Sequence, residues 1–320
     1  MLRIHCRAED FLRLTIADQP MPLLELGLAL GMMQRQDPNA VFAPWRRRAG
    51  SGLPRTAHPM LNLVSPQGAG PLFLDPPNLD LDEGLDLILS TPRARAQTEL
   101  KAMVAFDRPF TPWIRDLADL DRDAWQVLER SVRSAYGNVI TAAWPRLQAG
   151  FRAETAWRSR ILAQQGLYAT LQGLSSSARW NGLTLESELS RDVDLYSEGL
   201  GLVLQPSLYW DNLLATEHPD GRIILIYPAV TPLPLREGPS SAEPLTVLLG
   251  ATRAQALVLL VQQQTTTTLA RELGITPAAA SMQAKTLREA GLIVSQREGK
   301  AMWHWCTPLG LDLLRHSAGG

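Results

Sequence analysis

Cysteine is almost absent from this 320-residue sequence: Cys6 and Cys306 are the only two, and they stand at opposite ends. Two thiols cannot build the disulfide framework of a small secreted domain, so two buried free thiols in a reducing cytoplasm are expected. Long apolar runs are missing as well, with nothing near the ~18 residues of a membrane-spanning helix. The opening "MLRIHCRAED" has neither the apolar core nor the small-residue cleavage site of a secretory signal. Charge of one sign is also lacking, since 31 Lys and Arg meet 32 Asp and Glu, a net of −1. The whole chain is therefore no basic nucleic-acid binder. Catalytic signatures are the last absence: there is no Gly-x-Gly-x-x-Gly, Walker loop, Gly-x-Ser-x-Gly or His-Glu-x-x-His. The five histidines (His5, His58, His218, His304, His316) are scattered and read as surface or core filler. Asp80, Asp82, Glu83 and Asp86 lack the spacing of a calcium loop and read as the negative first turn of a helix. No enzyme, metal or cofactor is expected from these residues.

What is present is unevenly distributed. From Thr246 onward there are seven Lys and Arg against four Asp and Glu, leaving 24 and 28 in the rest. A mildly basic C-terminal module on an acidic body follows. In the body, "MLRIHC" alternates like a short strand, and "LLELGLALGMMQRQ" reads as a buried helix starting near Pro22. Residues 37 to 80 are broken by proline and glycine and predict an irregular connection, with Arg46, Arg47 and Arg48 at a solvated helix start. From Leu81 to about Ser177 apolar residues recur every three or four positions, with helix starts at Thr111-Pro112 and Asp121. Glu154, Arg158 and Arg160 are placed on a solvated face. "LTLESEL", "GLGLVLQPSLYW" and "GRIILIYPAV" then predict one small sheet. The Pro-, Ser- and Gly-rich stretch after it reads as a linker. The expected fold is α+β and mainly helical: an N-terminal helical domain with a small sheet (1–230), a linker (231–245) and a C-terminal winged helix-turn-helix (246–320).

The last of these carries the strongest signal. "TRAQALVLLVQQ" is a helix with Ala256, Leu257 and Leu260 facing a core. "TLARELG" follows a run of threonines that can cap it, and it ends at Gly274, the residue best suited to a left-handed C-cap. Thr276 as N-cap and Pro277 as first helical residue open a third helix. At about 100° per residue, Ala280, Ala284 and Leu287 of that helix turn inward. Ala278, Met282, Lys285 and Glu289 turn outward, flanked by Ser281 and Thr286. "LIVSQREGKAMWHWCT" reads as a hairpin turning at Glu298-Gly299, with Arg297 and Lys300 at its tip, and "PLGLDLLRH" closes the module. A helix entering a major groove needs a slim face, which Ala278 and Ala279 supply. Ser281 and Gln283 can bond base edges, while Lys285, Arg297 and Lys300 suit phosphates. So few cations imply weak binding by one copy, hence a homodimer on two half-sites of a pseudo-palindromic operator in double-stranded DNA.

"TTTTLARELGITPAAASMQAKTLREAGLIVSQREGKAMWHWCTPLGLDLL" resembles the ArsR/SmtB-type winged-helix regulators of bacteria. Thr276, Pro277, Ser281 and "LREAGLI" match the family's third helix, and Gln283 replaces its usual histidine. The resemblance spans residues 250 to 316 and implies a homodimeric repressor that releases DNA on sensing a signal. The metal-sensing members' cysteine box is missing from the second helix. The final helix offers only Asp312 and His316, too few for a zinc site. A non-metal signal is therefore expected. "MLRIHCRAEDFLRLTIADQPMPLLELGLAL", "PWRRRA" and "GLGLVLQPSLYW…RIILIYPA" are similar to long actinobacterial ArsR-like proteins with an N-terminal domain of the DUF5937 type. Of nine tryptophans, Trp113, Trp144, Trp157 and Trp180 lie on or beside body helices. They mark the expected apolar pocket for a small-molecule effector, with core packing as the plainer reading. Two other functions stand beside the regulator: an adaptor whose winged helix binds protein, and an enzyme with an appended winged helix.

Overall fold

The computed structural model describes the chain except at residues 37–41, 78–79, 104–109, 176–177, 188–191, 218–219, 230–242 and 318–320. The chain divides into two compact units, Met1–Asp37 with Arg46–Ala229, and Pro38–Trp45 with Val230–Gly320. Helices and small sheets occur in both units, an α+β composition.

The first unit begins with β1 (Leu2–His5), α1 (Ala8–Leu12), β2 (Thr15–Ile16) and α2 (Pro22–Gln34). α2 has Pro22 in its first turn and is apolar nearly all round, so it runs through the core with Leu23, Leu26 and Leu30 buried. The stretch expected to be irregular instead contains α3 (Ala43–Gly52), a 3-10 turn at Arg55–Ala57 leading into α4 (His58–Leu63), and a 3-10 turn at Leu72–Leu74. Several of its prolines open elements: Pro54 and Pro71 precede the two 3-10 turns, and Pro59 lies in the first turn of α4, where a missing N–H costs nothing.

Five helices follow: α5 (Leu81–Leu89), α6 (Arg93–Ala102), α7 (Pro112–Ala118), α8 (Arg122–Val139) and α9 (Trp144–Gln172). Asp80, Thr111 and Asp121 cap α5, α7 and α8 by accepting from the N–H groups of Glu83 (2.9 Å), Ile114 (3.3 Å) and Ala124 (2.9 Å). α8 is the hub, packed by α2, α4, α5 and α7 along buried Leu128, Val132 and Ala135. α9 bends at Gly166, whose φ of 81° is open to glycine and strained for other residues.

The solvated face expected for α9 is not there. Glu154 and Arg158 are 1% and 0% exposed, and Arg160 is half-buried. Arg158 donates from Nη2 to Glu154 Oε1 (2.9 Å) and from Nη1 to the Thr170 carbonyl (3.3 Å), and its guanidinium lies over the rings of Trp157 and Tyr227. Spaced four apart, the two charges share one helix face and satisfy each other inside.

Two four-stranded sheets replace the single small one expected. The strands are β3 (Ala178–Asn181), β4 (Thr184–Ser187), β5 (Val193–Tyr196), β6 (Leu202–Ser207), β7 (Leu214–Glu217) and β8 (Ile223–Pro228). Their orders are β3-β4-β1-β5 and β2-β6-β8-β7, so the first strands of the chain complete sheets made mostly of later ones. β1 runs antiparallel to β4 and parallel to β5, and β6 runs parallel to β2 and β8. Ile4, Leu185, Leu204, Leu225 and Tyr227 belong to one core with Leu171 and Leu174 at the end of α9.

In the second unit α10 (Glu243–Leu249) begins inside the stretch read as linker, and Leu245 is 1% exposed in the unit's core. The polar composition of the preceding residues concealed "EPLTVLL"; residues 231–242 of that stretch lie outside the described residues. α11 (Ala251–Leu259), β9 (Gln264–Thr265), α12 (Thr266–Leu273), α13 (Pro277–Glu289), β10 (Ile293–Glu298), β11 (Ala301–Cys306) and α14 (Pro308–Ser317) complete it. Their core gathers Ala256, Leu257, Leu260, Leu269, Ala284, Leu287 and Ile293. Cys6 and Cys306 are free and buried, and burial pushes each thiol up to about 12, so both stay protonated and inert.

Candidate nucleic-acid interface

Three local decisions place α12 and α13. The threonine run starts α12 at Thr265, whose hydroxyl accepts from the Thr268 N–H (3.2 Å). Gly274, at φ 66°, ends it in the left-handed conformation, and the Ile275 N–H returns to the Ala270 carbonyl (3.0 Å). Thr276 then caps α13 by accepting from the Ala279 N–H (3.2 Å). Its hydroxyl is thus committed to the helix, which narrows its use as a contact.

α13 is divided as its periodicity requires. Ala280, Ala284 and Leu287 are buried, while Ala278, Ser281, Met282, Lys285, Thr286 and Glu289 are exposed and Ala279 and Gln283 are half-buried. Lys285 pairs only loosely with Glu289, at 3.8 Å with both side chains well exposed, a contact worth a few tenths of a kcal/mol. The Thr286 hydroxyl turns back to the Met282 carbonyl (3.1 Å). Among the described residues the Ser281 hydroxyl and the Gln283 amide make no hydrogen bond, so both can engage a partner.

β10 and β11 form the hairpin, with Glu298 opposite Ala301. The turn therefore sits at Gly299-Lys300, one residue later than expected. Gly299 at φ 60° takes the first central position of the two-residue loop, where the strand twist requires a positive φ. Arg297 and Lys300 are exposed at the tip, and Arg297 Nε donates to the Gly299 carbonyl (3.3 Å). A third strand without a sequence signal of its own joins them: β9 pairs with β11 and fixes the hairpin to the start of α12. Buried His304 reinforces the joint. One ring nitrogen bonds Ser295 of β10 (2.7 Å) and the other Thr266 of α12 (2.9 Å). Burial, with a smaller contribution from Arg288, lowers its proton affinity and keeps it neutral.

Two further cations were missed. Arg271 in the last turn of α12 and Arg288 near the end of α13 are exposed and carry no ion pair among the described residues. Their signal was available in the charge count but not in a motif. α12, α13 and the hairpin tip thus offer Arg271, Lys285, Arg288, Arg297 and Lys300 as exposed cations suited to phosphate oxygens.

The four tryptophans expected to mark a pocket are not brought together. Trp113 donates from its ring N–H to the Ala124 carbonyl (3.4 Å), Trp157 stacks under Arg158, Trp180 meets Phe11 edge-on, and Trp144 is half-buried at the start of α9. Among the described residues no ring contact joins any two of them, and none lines the clefts of about 690 and 410 Å³ in the first unit. Among the described residues, no three His, Cys, Asp or Glu side chains converge as metal ligands, and no helix is long and apolar enough to cross a membrane. No family model, no curated protein and no solved structure matches the chain.

Proposed function

We propose that the chain is a DNA-binding transcriptional regulator, a homodimeric ArsR-like repressor whose second unit is a winged helix-turn-helix and whose first unit senses a non-metal signal. The observation that carries this reading is α13. Its outward face is slim at Ala278 and Ala279, and its free polar groups, Ser281 and Gln283, are of the kind that pair with base edges. Lys285, Arg297 and Lys300 supply the positioning charge. A footprint on the DNA upstream of the protein's own coding sequence tests it. A protected, roughly two-fold symmetric site is expected, with half-sites about one helical turn apart. Gln283→Ala should relax the preference at one base position and leave the others unchanged. Uniform, sequence-independent protection would remove the regulator reading.

One observation favours the adaptor reading. Met282, 67% exposed, stands at the middle of the same face, where a protein partner would bury it. Met282→Ala separates the two, since a protein-binding face loses affinity on that change while a DNA-binding face is barely affected.

A further inference from the structure

The first unit contains an open cleft between its helical layer and the β2-β6-β8-β7 sheet. It has two chambers of about 690 and 410 Å³ that share Met21, Pro77 and Ile224 as walls. Sites for small organic ligands usually enclose about 300–1,000 Å³ of mostly apolar wall with a few fixed polar groups. Here each chamber has one polar group without a proper partner. In the larger, the half-buried Asp75 carboxylate accepts no hydrogen bond from the described residues. In the smaller, Gln205 is 2% exposed; among the described residues its Nε2 reaches only the adjacent Pro206 carbonyl at 3.5 Å, and its Oε1 accepts nothing. Both groups line the open cleft with hydrogen-bonding capacity that the described residues leave unused, so a ligand seated there can pair them.

The charge around them sets the chemistry. Glu99 of α6 accepts from Arg95 Nε (2.6 Å) and from the Phe73 N–H (2.7 Å), so the cleft's Arg95 is already engaged and the Phe73–Asp75 turn is held rigid. Arg222, at the far chamber, is paired with Asp220 (2.8 Å). Glu217 of β7 lines the cleft with no cation partner among the described residues. Asp75 and Glu217 therefore leave the lining net negative. We propose that this cleft binds an amphipathic organic cation, its ammonium against Asp75, its apolar body along Met21, Leu87 and Ile224, and a hydrogen-bonding group reaching Gln205. Burial, and Glu99 beside it, raise Asp75 to about 7, as an unmatched carboxylate in such a place should be. Binding itself is independent of any DNA contact; only its regulatory consequence rests on the function proposed above.

The test is calorimetry on the full chain with 4-phenylbutylamine, 4-phenylbutanol and 4-phenylbutyrate as probes. The amine should bind one to one, about tenfold more tightly than the alcohol, with the acid weakest, as expected when one charge pair is added or reversed. Asp75→Asn should remove that tenfold advantage and leave the alcohol's affinity unchanged. Leu87→Trp, made at a surface-facing wall position that leaves the core intact, should block all three. Lowering the pH from 8 to 6 should weaken the amine in the wild type, as Asp75 takes up its proton, and not in Asp75→Asn. Equal affinity for amine and alcohol, an amine affinity untouched by Asp75→Asn, or no amine binding at millimolar concentration would each overturn the proposal. Amine binding that leaves DNA affinity unchanged keeps the site and removes its regulatory role; amine binding by a protein with no DNA affinity keeps the site and removes the regulator.

Discussion

The Glu154–Arg158 pair is the residue-scale feature with the largest energetic stake. Both ions are out of water, and each is tolerable only because the other is there. Arg158→Met should cost about 3–5 kcal/mol in urea unfolding, because it abandons a buried carboxylate. The double change Glu154→Leu with Arg158→Met should recover most of that loss. Asp75 makes the opposite kind of prediction. Its proton is held more tightly in the folded state, near 7, than at its ordinary 3.8. As pH rises through that window the unfolded chain releases the proton first, so stability is full below about pH 4 and declines towards pH 7. Asp75→Asn should therefore match the wild type at pH 4 and exceed it at pH 8 by up to a few kcal/mol in thermal or urea melts. Neither residue announced itself in the sequence. A charge four residues from its opposite reads as a surface pair unless the tertiary neighbours, here Trp157, Thr170 and Tyr227, are known.

At the scale of elements, the parts written in local chemistry were legible and those made by distant pairing were not. Thr111, Asp121 and Thr276 cap their helices where side-chain type and a following proline or acidic turn indicate, and Gly274 ends α12 in the left-handed conformation that its type favours. β2 and β9 are two residues each and have no pattern of their own; they exist because β6 and β11 offer an edge. α10 and the helices between 43 and 63 were hidden by a composition of proline, glycine and serine that is compatible with helix starts. On the candidate interface, the face of α13 and the hairpin tip could be read from periodicity, whereas β9, His304 and the cations Arg271 and Arg288 could not. Two glycines test the packing of elements directly. Gly310→Ala would bring a methyl within 2.1 Å of the Leu292 carbonyl, so α14 should be displaced and melting of the second unit lowered. Gly166→Ala meets no neighbour, and its loss of about 1–3 kcal/mol should come from the φ of 81° alone.

For the whole molecule, the two compact units divide the labour in the proposed reading: a first unit with a cleft that lacks a charge partner, and a second unit whose exposed helix and hairpin tip carry the cations. An overall charge of −1 conceals this division, because the basic residues of the second unit are outweighed by acidic ones elsewhere. In that reading, with so few cations on one copy, affinity for DNA should depend on pairing two copies and on salt. The most direct measurement is fluorescence anisotropy of the full chain on a labelled duplex from its own upstream region, repeated from 50 to 200 mM salt. A dimer using Lys285, Arg297 and Lys300 on each copy makes about six phosphate contacts and should lose about a thousandfold in affinity over that range. Replacing any one of the three by alanine should lower the log–log salt slope by about two, one contact per copy. An affinity that does not change with salt, or a slope unmoved when all three are replaced, would contradict the assignment of α13 and the hairpin tip to DNA.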